Sequence, residues 1–158
     1  MDSLEKFRNK VFNKDVLEIL REMPNNSVHM IYGDPDYGVG INYSGKKYIV
    51  RFNEYINWYI TITRECLRVL KPTGNLFLIN YPKQNSHLRA KFLDENAFDV
   101  QDYVWVYNTN VGHTPRRFTT AHRSILHITK SKKNSFFRQN VAEPYQNPND
   151  KRIRKRIA

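Results

Sequence analysis

The segment Val28–Gly38 constrains the fold of this chain more than any other stretch. Its first five residues are mostly apolar, and a glycine and the polar turn Asp34-Pro35-Asp36-Tyr37-Gly38 follow them. An apolar run of this length without alternation is typical of a short strand that is covered on both faces. Pro35 fixes its own φ and favours an extended Asp34, so the strand is expected to end in a stiff, acidic turn. In open α/β sheets, ligands bind at that end of the strands.

The same turn also has a purely structural explanation. Aspartate, proline and glycine are common in ordinary turns, for conformational reasons that require no ligand. The turn alone therefore favours a structural role, and a functional role has to be supported by features elsewhere in the chain.

Strand and helix patterns alternate through the first 130 residues. The predicted helices cover 15–23, 53–70 and 86–97, and the predicted strands cover 28–32, 75–81, 102–108 and 124–130. No helical pattern separates the last two strands, so they are expected to pair antiparallel at a sheet edge. This order predicts an α/β fold with a largely parallel sheet. Trp58 and Trp105 are assigned to its core.

The positive charge of the chain is concentrated in its last third. Residues 1–109 carry 14 Lys and Arg against 13 Asp and Glu, whereas residues 110–158 carry 12 against 2, which accounts for nearly all of the net charge of +11. A solubilising tail would also be basic, but so segregated a surplus favours a polyanion such as nucleic acid. The candidate phosphate-binding residues are Arg116, Arg117, Lys151, Arg152, Arg154, Lys155 and Arg156.

The remaining composition argues against several classes of protein. No apolar run approaches the roughly 20 residues that cross a bilayer, and the N-terminus lacks the apolar core of a signal peptide. The single cysteine, Cys66, falls on the apolar side of a predicted helix, where a buried thiol is expected. The five histidines show no metal-ligand spacing. We therefore expect a cytoplasmic protein without a metal site and without membrane contact.

Three segments together resemble the amino-methyltransferases of restriction–modification systems. They are the strand with its Asp-Pro-x-Tyr-Gly turn, the helix from Asn53 that runs into Cys66-Leu-Arg-Val-Leu-Lys-Pro-Thr-Gly-Asn-Leu-Phe-Leu78, and the run from Pro115 to Lys130. The similarity covers nearly all of residues 11–130 in matching order. It implies a Rossmann-like, S-adenosylmethionine-dependent fold that methylates the exocyclic amine of adenine or cytosine in double-stranded DNA.

The resemblance also implies roles for single residues. The acidic side chain and the following proline carbonyl accept hydrogen bonds from the target amine, which here means Asp34 and Pro35. The aromatic residue, Tyr37, would stack on a base that has been flipped out of the duplex. Asp34 would also border the cofactor. Asp15 is either a helix N-cap or the family's acidic residue near the cofactor adenine, because it follows a candidate short strand at 10–12.

Two departures from the family pattern stand out. The usual turn is Asp-Pro-Pro-Tyr, and Asp36 replaces the second proline, which is expected to loosen the turn and add a like charge near Asp34. On this basis Asp36→Pro should raise methylation. The family's glycine-bearing cofactor loop, commonly Phe-x-Gly-x-Gly, is also missing from these 158 residues.

The order of the motifs fits a permuted branch of the family, in which the cofactor loop follows the target-recognition region. Residues 1–130 are then the catalytic half of a methyltransferase domain, and residues 131–158 are the basic start of target recognition. The missing strands and loop would come from a second chain or be lost, and a homodimer is a further option. Adenine is favoured over cytosine because the turn carries aspartate rather than serine. The alternative is an inactive DNA-binding remnant or accessory subunit.

Overall fold

The computed structural model describes residues 4–39, 42–43, 46–47, 51–108, 115–116 and 118–157. The helices are α1 (Val16–Glu22), α2 (Phe52–Val69), α3 (Pro82–Leu88), α4 (Asp94–Asn96) and α5 (Lys151–Ile157), with 3-10 turns at Glu5–Phe7 and Arg138–Asn140 and a π-helical turn at Arg89–Leu93. The strands are β1 (Val28–Gly33), β2 (Asn42–Tyr43), β3 (Lys46–Lys47), β4 (Leu70–Asn80), β5 (Asp99–Val106) and β6 (His122–Thr129). No helix in the described ranges is both long and apolar enough to cross a membrane.

Four strands form one sheet in the order β1-β4-β6-β5. β1 and β4 run parallel, with Tyr32 beside Phe77, while β6 runs antiparallel to both β4 and β5. The predicted α/β fold and the predicted antiparallel pair at one edge are therefore confirmed. The prediction of a largely parallel sheet is wrong for the described strands, because β6 lies between β4 and β5 and pairs antiparallel with both, so only β1 and β4 form a parallel pair. β2 and β3 form a separate two-residue ladder between β1 and α2 in the sequence.

The hydrophobic core lies between one face of the sheet and the helices, and we call this the helical face. Leu76 and Leu78 of β4 and Leu126 of β6 project into it and are at most 1% exposed. α2 supplies Ile56 and Tyr59, which are also fully buried, and Cys66 is buried on the same helix, as predicted. Each fully buried aliphatic side chain contributes about 1.5–3 kcal/mol relative to an exposed one, so this layer dominates the stability.

Helix boundaries follow local chemistry more closely than hydrophobic spacing. The side chain of Asp15 caps α1 by accepting a hydrogen bond from the Leu17 amide at 2.8 Å, as predicted. α2 begins at Phe52 and ends at Val69, each one residue before the predicted bounds of 53–70. α3 begins at 82 rather than 86, because a proline at the first helical position is preorganised and loses no hydrogen bond.

The opposite face of the sheet, which we call the open face, is largely uncovered by the described residues. Met30 and Tyr32 of β1 are 60% and 58% exposed, and Trp105 of β5 is 53% exposed. The predictions of a β1 covered on both faces and of a core Trp105 are therefore wrong. β1 and β5 are the two edges of the described sheet, and no described helix packs over this face. Trp58 does pack against the core, where it is partly buried.

His127 occupies the centre of the open face. Its ring stacks on Phe77 at 4.6 Å between centroids, and Tyr103 lies on its other side at 6.3 Å. Nε2 lies 2.9 Å from the Asn75 side-chain oxygen, and because an amide oxygen only accepts, Nε2 carries the proton. Burial lowers the pKa of this imidazole below its usual 6.5, against an opposing pull from Asp99.

This lowered pKa predicts that the protein loses stability in mild acid. As the pH falls through 6.5, the unfolded chain binds the proton before the folded chain does, so the free energy of unfolding decreases; above 6.5 the contribution is fully present. Urea unfolding of wild type and His127→Gln between about pH 8 and about pH 5 measures the effect. The free energy of unfolding of the variant should depend less on pH than that of the wild type. Equal pH dependence in both proteins would refute the lowered pKa of His127.

Candidate active site

The turn that follows β1 lies where the parallel strands β1 and β4 both end. Gly33 is paired with Leu78, and Asn80, the last residue of β4, is paired with Ser124 at the start of β6. α3 begins two residues after β4, at Pro82. Three strands and a helix thus meet beside residues 34–38, which is the edge at which the sequence predicted a site.

Two side chains from other elements hold the backbone of this turn. Tyr55 of α2 donates its hydroxyl to the Asp36 carbonyl at 2.5 Å, and Asn80 donates its amide to the same tyrosine hydroxyl at 2.7 Å. Gln84 of α3 donates to the Tyr37 carbonyl at 2.8 Å. Burial raises the pKa of Tyr55, so its hydroxyl remains a donor. The backbone of the turn is therefore anchored at two consecutive carbonyls, and the expectation that Asp36 loosens the turn stays a prediction.

Gly38 completes the turn in a conformation that only glycine adopts easily. Its φ is 65°, in the left-handed region, and a Cβ on this residue would lie 2.5 Å from the Tyr55 ring. The glycine therefore allows the chain to leave the turn directly against the side chain that anchors it.

The hydrogen bonds from Tyr55 and Gln84, which we call the clamp, leave two acceptors of the turn available. The carbonyls of Asp36 and Tyr37 are hydrogen-bonded, whereas no donor among the described residues reaches the Pro35 carbonyl. Asp34 is exposed, and one of its carboxylate oxygens accepts from the Tyr37 hydroxyl at 2.7 Å. The second oxygen has no donor in the described part of the chain. A carboxylate oxygen and a carbonyl therefore stand ready for an external donor, at adjacent residues.

The ring of Tyr37 belongs to an aromatic cluster built around Arg123. The guanidinium lies 5.3 Å from the Tyr37 ring, 4.0 Å from the Tyr81 ring and 5.1 Å from the Tyr107 ring. It also donates to the hydroxyls of Tyr81 and Tyr107. Tyr37 and Tyr81 pack edge to face at 5.2 Å. Burial and the neighbouring Asp34 raise the pKa of Tyr37 to about 12, partly offset by Arg123.

An open cavity of about 480 Å³ adjoins the turn and is bounded by α1, β1 and α2. Its walls are mostly apolar, and its size is typical of a small-molecule site. Asp15, Asp34 and Asp36 all line it. The carboxylates at the start of α1 and in the turn therefore border the same cavity. Such a lining suits a ligand that has hydroxyl or ammonium donors and an otherwise apolar surface. These residues fit S-adenosylmethionine.

Asp15 reaches this cavity without giving up its structural role. One oxygen caps α1, and the residue also lines the cavity. The two interpretations that the sequence offered are therefore compatible in geometry. The candidate strand at 10–12 is wrong, because these residues adopt no regular structure.

The predicted phosphate-binding residues fall into two groups in the sequence, at 116–117 and 151–156, and those whose side chains are described are exposed. Arg116 is exposed in a turn, Arg117 lies outside the described residues, and the Arg156 side chain is not described. The exposed basic residues of α5 are Lys151, Arg152, Arg154 and Lys155. Arg152 forms an ion pair with Asp150 at 2.9 Å, and Arg154 donates to Asn149. These four residues present positive charge on a single short helix.

Sequence reasoning missed the residues that support the site. Tyr55, Asn80, Gln84 and Arg123 carry no motif, and each acts through a contact distant in sequence. A tyrosine on an amphipathic helix or a polar residue at a strand end gives no local signal of such a contact. Only the strand order, which brings Asn80 beside the turn, could have suggested one of them.

The chain matches a family profile described as DNA methylase, of the N6/N4 methyltransferase type, over residues 28–157. It is 31% identical over 129 residues to the type II methyltransferase M.BamHI of Bacillus amyloliquefaciens and 28% identical over 131 residues to the DNA adenine methyltransferase YhdJ of Escherichia coli strain K12. These alignments cover 81% and 80% of this chain but 30% and 43% of the relatives. The chain thus spans less than half the length of either relative.

Two solved structures share the fold. The PvuII DNA methyltransferase, which is cytosine-N4-specific, superimposes with a TM-score of 0.61 at 18% identity, over 81% of this chain and 51% of that one. M1.HpyAVI in complex with S-adenosylmethionine superimposes with a TM-score of 0.56 at 20% identity, over 86% and 62%. Both matches confirm the predicted methyltransferase fold. Since the profile covers most of its residues, this chain belongs to the DNA methylase family, whose members use S-adenosylmethionine.

Proposed function

We propose that this chain supplies the catalytic turn of a site-specific DNA methyltransferase that modifies the exocyclic amine of adenine. One observation carries the proposal: no described residue donates to the Pro35 carbonyl while the next two carbonyls are bonded, and the preceding residue in the chain is the exposed Asp34. A primary amine has two hydrogens, and these two acceptors could each take one.

The chemistry requires such a pair of acceptors. The lone pair of an exocyclic base amine is delocalised into the ring, which makes the amine a poor nucleophile. Hydrogen bonds from its two hydrogens to Asp34 and Pro35 favour a tetrahedral nitrogen with a localised lone pair. When bound, S-adenosylmethionine supplies an electrophilic methyl group. Positioning and electrostatics then account for catalysis without a covalent enzyme intermediate.

Tyr37 is the residue proposed to hold the flipped base. Its hydroxyl is fixed on Asp34, and Arg123 and Tyr81 support its ring, so the ring is preorganised for stacking. The aromatic body and the two acceptors belong to one four-residue turn. A base stacked on Tyr37 would therefore bring its amine towards Asp34 without any rearrangement of the fold.

Adenine is the proposed base because the turn begins with aspartate rather than serine. One relative is named as a DNA adenine methyltransferase, and one structural neighbour is titled cytosine-N4-specific. Cytosine amine methylation is therefore the alternative for the same turn.

The cofactor site is proposed to be completed by residues outside this sequence, in the same polypeptide or in a second chain. Among the described strands, β1 pairs on one side only, and its Met30 and Tyr32 side chains are exposed. An exposed edge strand with apolar side chains is a ready template for another strand. A glycine-bearing loop could follow such a strand at the edge where the turn lies.

Replacing Asp34 tests the proposed chemistry. The chain is incubated with labelled S-adenosylmethionine, adenine-containing and cytosine-containing duplexes, and a second chain carrying a cofactor loop, such as the product of the adjacent reading frame. Wild type should label adenine only, and Asp34→Asn should lower the rate at least about 100-fold, as for loss of one transition-state hydrogen bond. Label on cytosine would support the alternative, and no label with any partner would favour an inactive DNA-binding subunit.

Removing the Tyr55 hydroxyl tests the clamp on the turn. Tyr55→Phe leaves the buried Asn80 amide without its acceptor and frees the Asp36 carbonyl, so a loss of about 1–3 kcal/mol in unfolding free energy is expected. Tyr59→Phe is the matched control, because that buried hydroxyl bonds Asn85 instead. Both should destabilise in urea, but only Tyr55→Phe should lower methyl transfer in the completed enzyme. Equal loss of transfer would contradict a specific clamp.

Neutralising α5 tests the proposed DNA contact. Replacing Lys151, Arg152, Arg154 and Lys155 by glutamine should weaken binding to all DNA sequences alike and flatten the dependence of affinity on salt, since each phosphate contact releases counterions. Fluorescence anisotropy with two unrelated duplexes at several salt concentrations measures both quantities. An unchanged salt slope would reject this role for the helix.

A further inference from the structure

The Asp36 side chain is left unexplained by the proposed reaction. Its Oδ1 atom is shielded from solvent and has no hydrogen-bond partner among the described residues. A buried acceptor without a donor costs about 1–3 kcal/mol, and a charged one costs more. Such groups are rare in folded proteins, and many are paired with a bound molecule. The Asp36 side chain is therefore an acceptor whose donor is missing, as expected for a residue that binds a ligand.

The backbone that carries this carboxylate is well anchored. The Asp36 carbonyl accepts from Tyr55, and the carbonyl of the next residue accepts from Gln84. The side chain thus starts from a backbone held on both sides by buried groups, Tyr55 at 1% exposure and Gln84 at 5%. The missing partner is not the product of a loosely attached loop.

The cavity that Asp36 lines has an unbalanced charge. Three aspartates border it, at 15, 34 and 36, and its described lining contains no lysine, arginine or histidine. The other walls are largely apolar, including Ile31, Trp58 and Ile62. Asp15 and Asp34 are exposed, whereas the Oδ1 of Asp36 is shielded, and a shielded carboxylate oxygen among apolar walls favours a positively charged ligand. Nowhere in the described ranges are three or more His, Cys, Asp or Glu residues arranged to hold a metal ion, so an organic cation is the better match.

We propose that Asp36 binds the primary ammonium group of the methionine moiety of the methyl donor. The assignment rests on the proposed function, because it takes this cavity as the cofactor site. Of the two cationic centres of S-adenosylmethionine, the sulfonium has no N–H and cannot satisfy an orphaned oxygen. The ammonium has three donors, and a charge-assisted bond to a carboxylate is about twice as strong as a neutral one.

This contact assigns a role to Asp36, the residue at which this chain departs from the family turn. Proline at position 36 would leave the backbone clamp intact but provide no acceptor. Asp36 then adds affinity for the cofactor that the usual turn lacks. The sequence-based expectation that Asp36→Pro raises methylation is opposed by this inference, which predicts weaker cofactor binding for the same variant.

Three ligands separate the groups that Asp36 could contact. S-adenosylmethionine carries both the ammonium and the sulfonium, S-adenosylhomocysteine carries only the ammonium, and 5′-methylthioadenosine carries neither. Trp58 lines the cavity, so its fluorescence reports binding to the full chain once the exposed Trp105 is replaced by phenylalanine. Dissociation constants are measured in that background for Asp36, Asp36→Asn and Asp36→Pro, without any need for turnover.

Both Asp36 variants should bind the first two ligands about tenfold more weakly, which corresponds to about 1.4 kcal/mol, and should bind 5′-methylthioadenosine unchanged. Agreement between the asparagine and proline variants excludes a folding artefact specific to either. Glu18→Gln is the matched control, because it removes one exposed negative charge from α1 outside the cavity lining. It should leave all three constants unchanged.

Several results would overturn the inference. Weaker binding of S-adenosylmethionine alone would place the sulfonium at Asp36, and weaker binding of all three ligands would mean that Asp36 only shapes the cavity. Equal binding by all variants would reject the contact and leave the proposed function standing. Failure of the parent chain to bind any of the ligands at millimolar concentration, both alone and together with the second chain that completes the cofactor site, would reject both the contact and the use of this cavity as the cofactor site.

Discussion

The rest of this site depends on the two hydrogen bonds formed by the Tyr55 hydroxyl. This hydroxyl accepts from Asn80 at the end of β4 and donates to the Asp36 carbonyl, so a single buried oxygen connects a helix, a strand end and the turn. Among the described strands, β1 pairs only with β4, so this sheet supports the turn from one side. Without the Tyr55 bond, the position of residues 34–37 in the described structure would rest on Gln84 and on the turn's own geometry.

A second buried network lies one helical turn further along α2 and supports the same edge of the sheet. Tyr59 donates to the side chain of Asn85, which in turn donates to Ser124 at the start of β6. Ser124 then donates to Asp102 of β5. Tyrosines four residues apart on one helix face thus fix the turn through β4 and the end of the sheet through β6. Buried, satisfied networks of this kind define a single arrangement of the elements they join.

The sequence predicted those parts of the molecule whose signal is local. The strand at Val28, its acidic turn, the cap at Asp15 and the antiparallel edge pair all follow from spacing or turn chemistry within a few residues. Trp105 and the exposed side chains of β1 were predicted wrongly for one reason. An apolar pattern shows that a strand prefers to be covered, but it does not show whether the covering chain lies within the same sequence.

The supporting residues could not be predicted because their partners are distant in sequence. Tyr55 is 19 residues from the carbonyl it anchors and 25 from the amide that donates to it. Arg123 follows a histidine in a strand pattern, and nothing local distinguishes it from a solvent-exposed arginine. Its three tyrosine contacts come from a turn, a strand end and the end of β5. The candidate site residues on a tight turn can thus be predicted from the sequence, whereas the residues that orient them can be identified only from the fold.

The distribution of charge supports the proposed division between base binding and backbone binding. The cavity beside the turn is bordered by three aspartates, so it would repel a phosphate but admit a neutral base or a cationic cofactor. The surplus of positive charge lies instead in residues 110–158, with 12 Lys and Arg against 2 Asp and Glu. Arg123, one of these twelve, packs against Tyr37 in the turn, whereas the basic residues of α5 are exposed and available to DNA phosphates. Under the proposed function, the acidic lining of this cavity favours an unstacked base over a phosphate as the group that reaches Asp34 and Pro35, so base flipping fits the electrostatics of the turn.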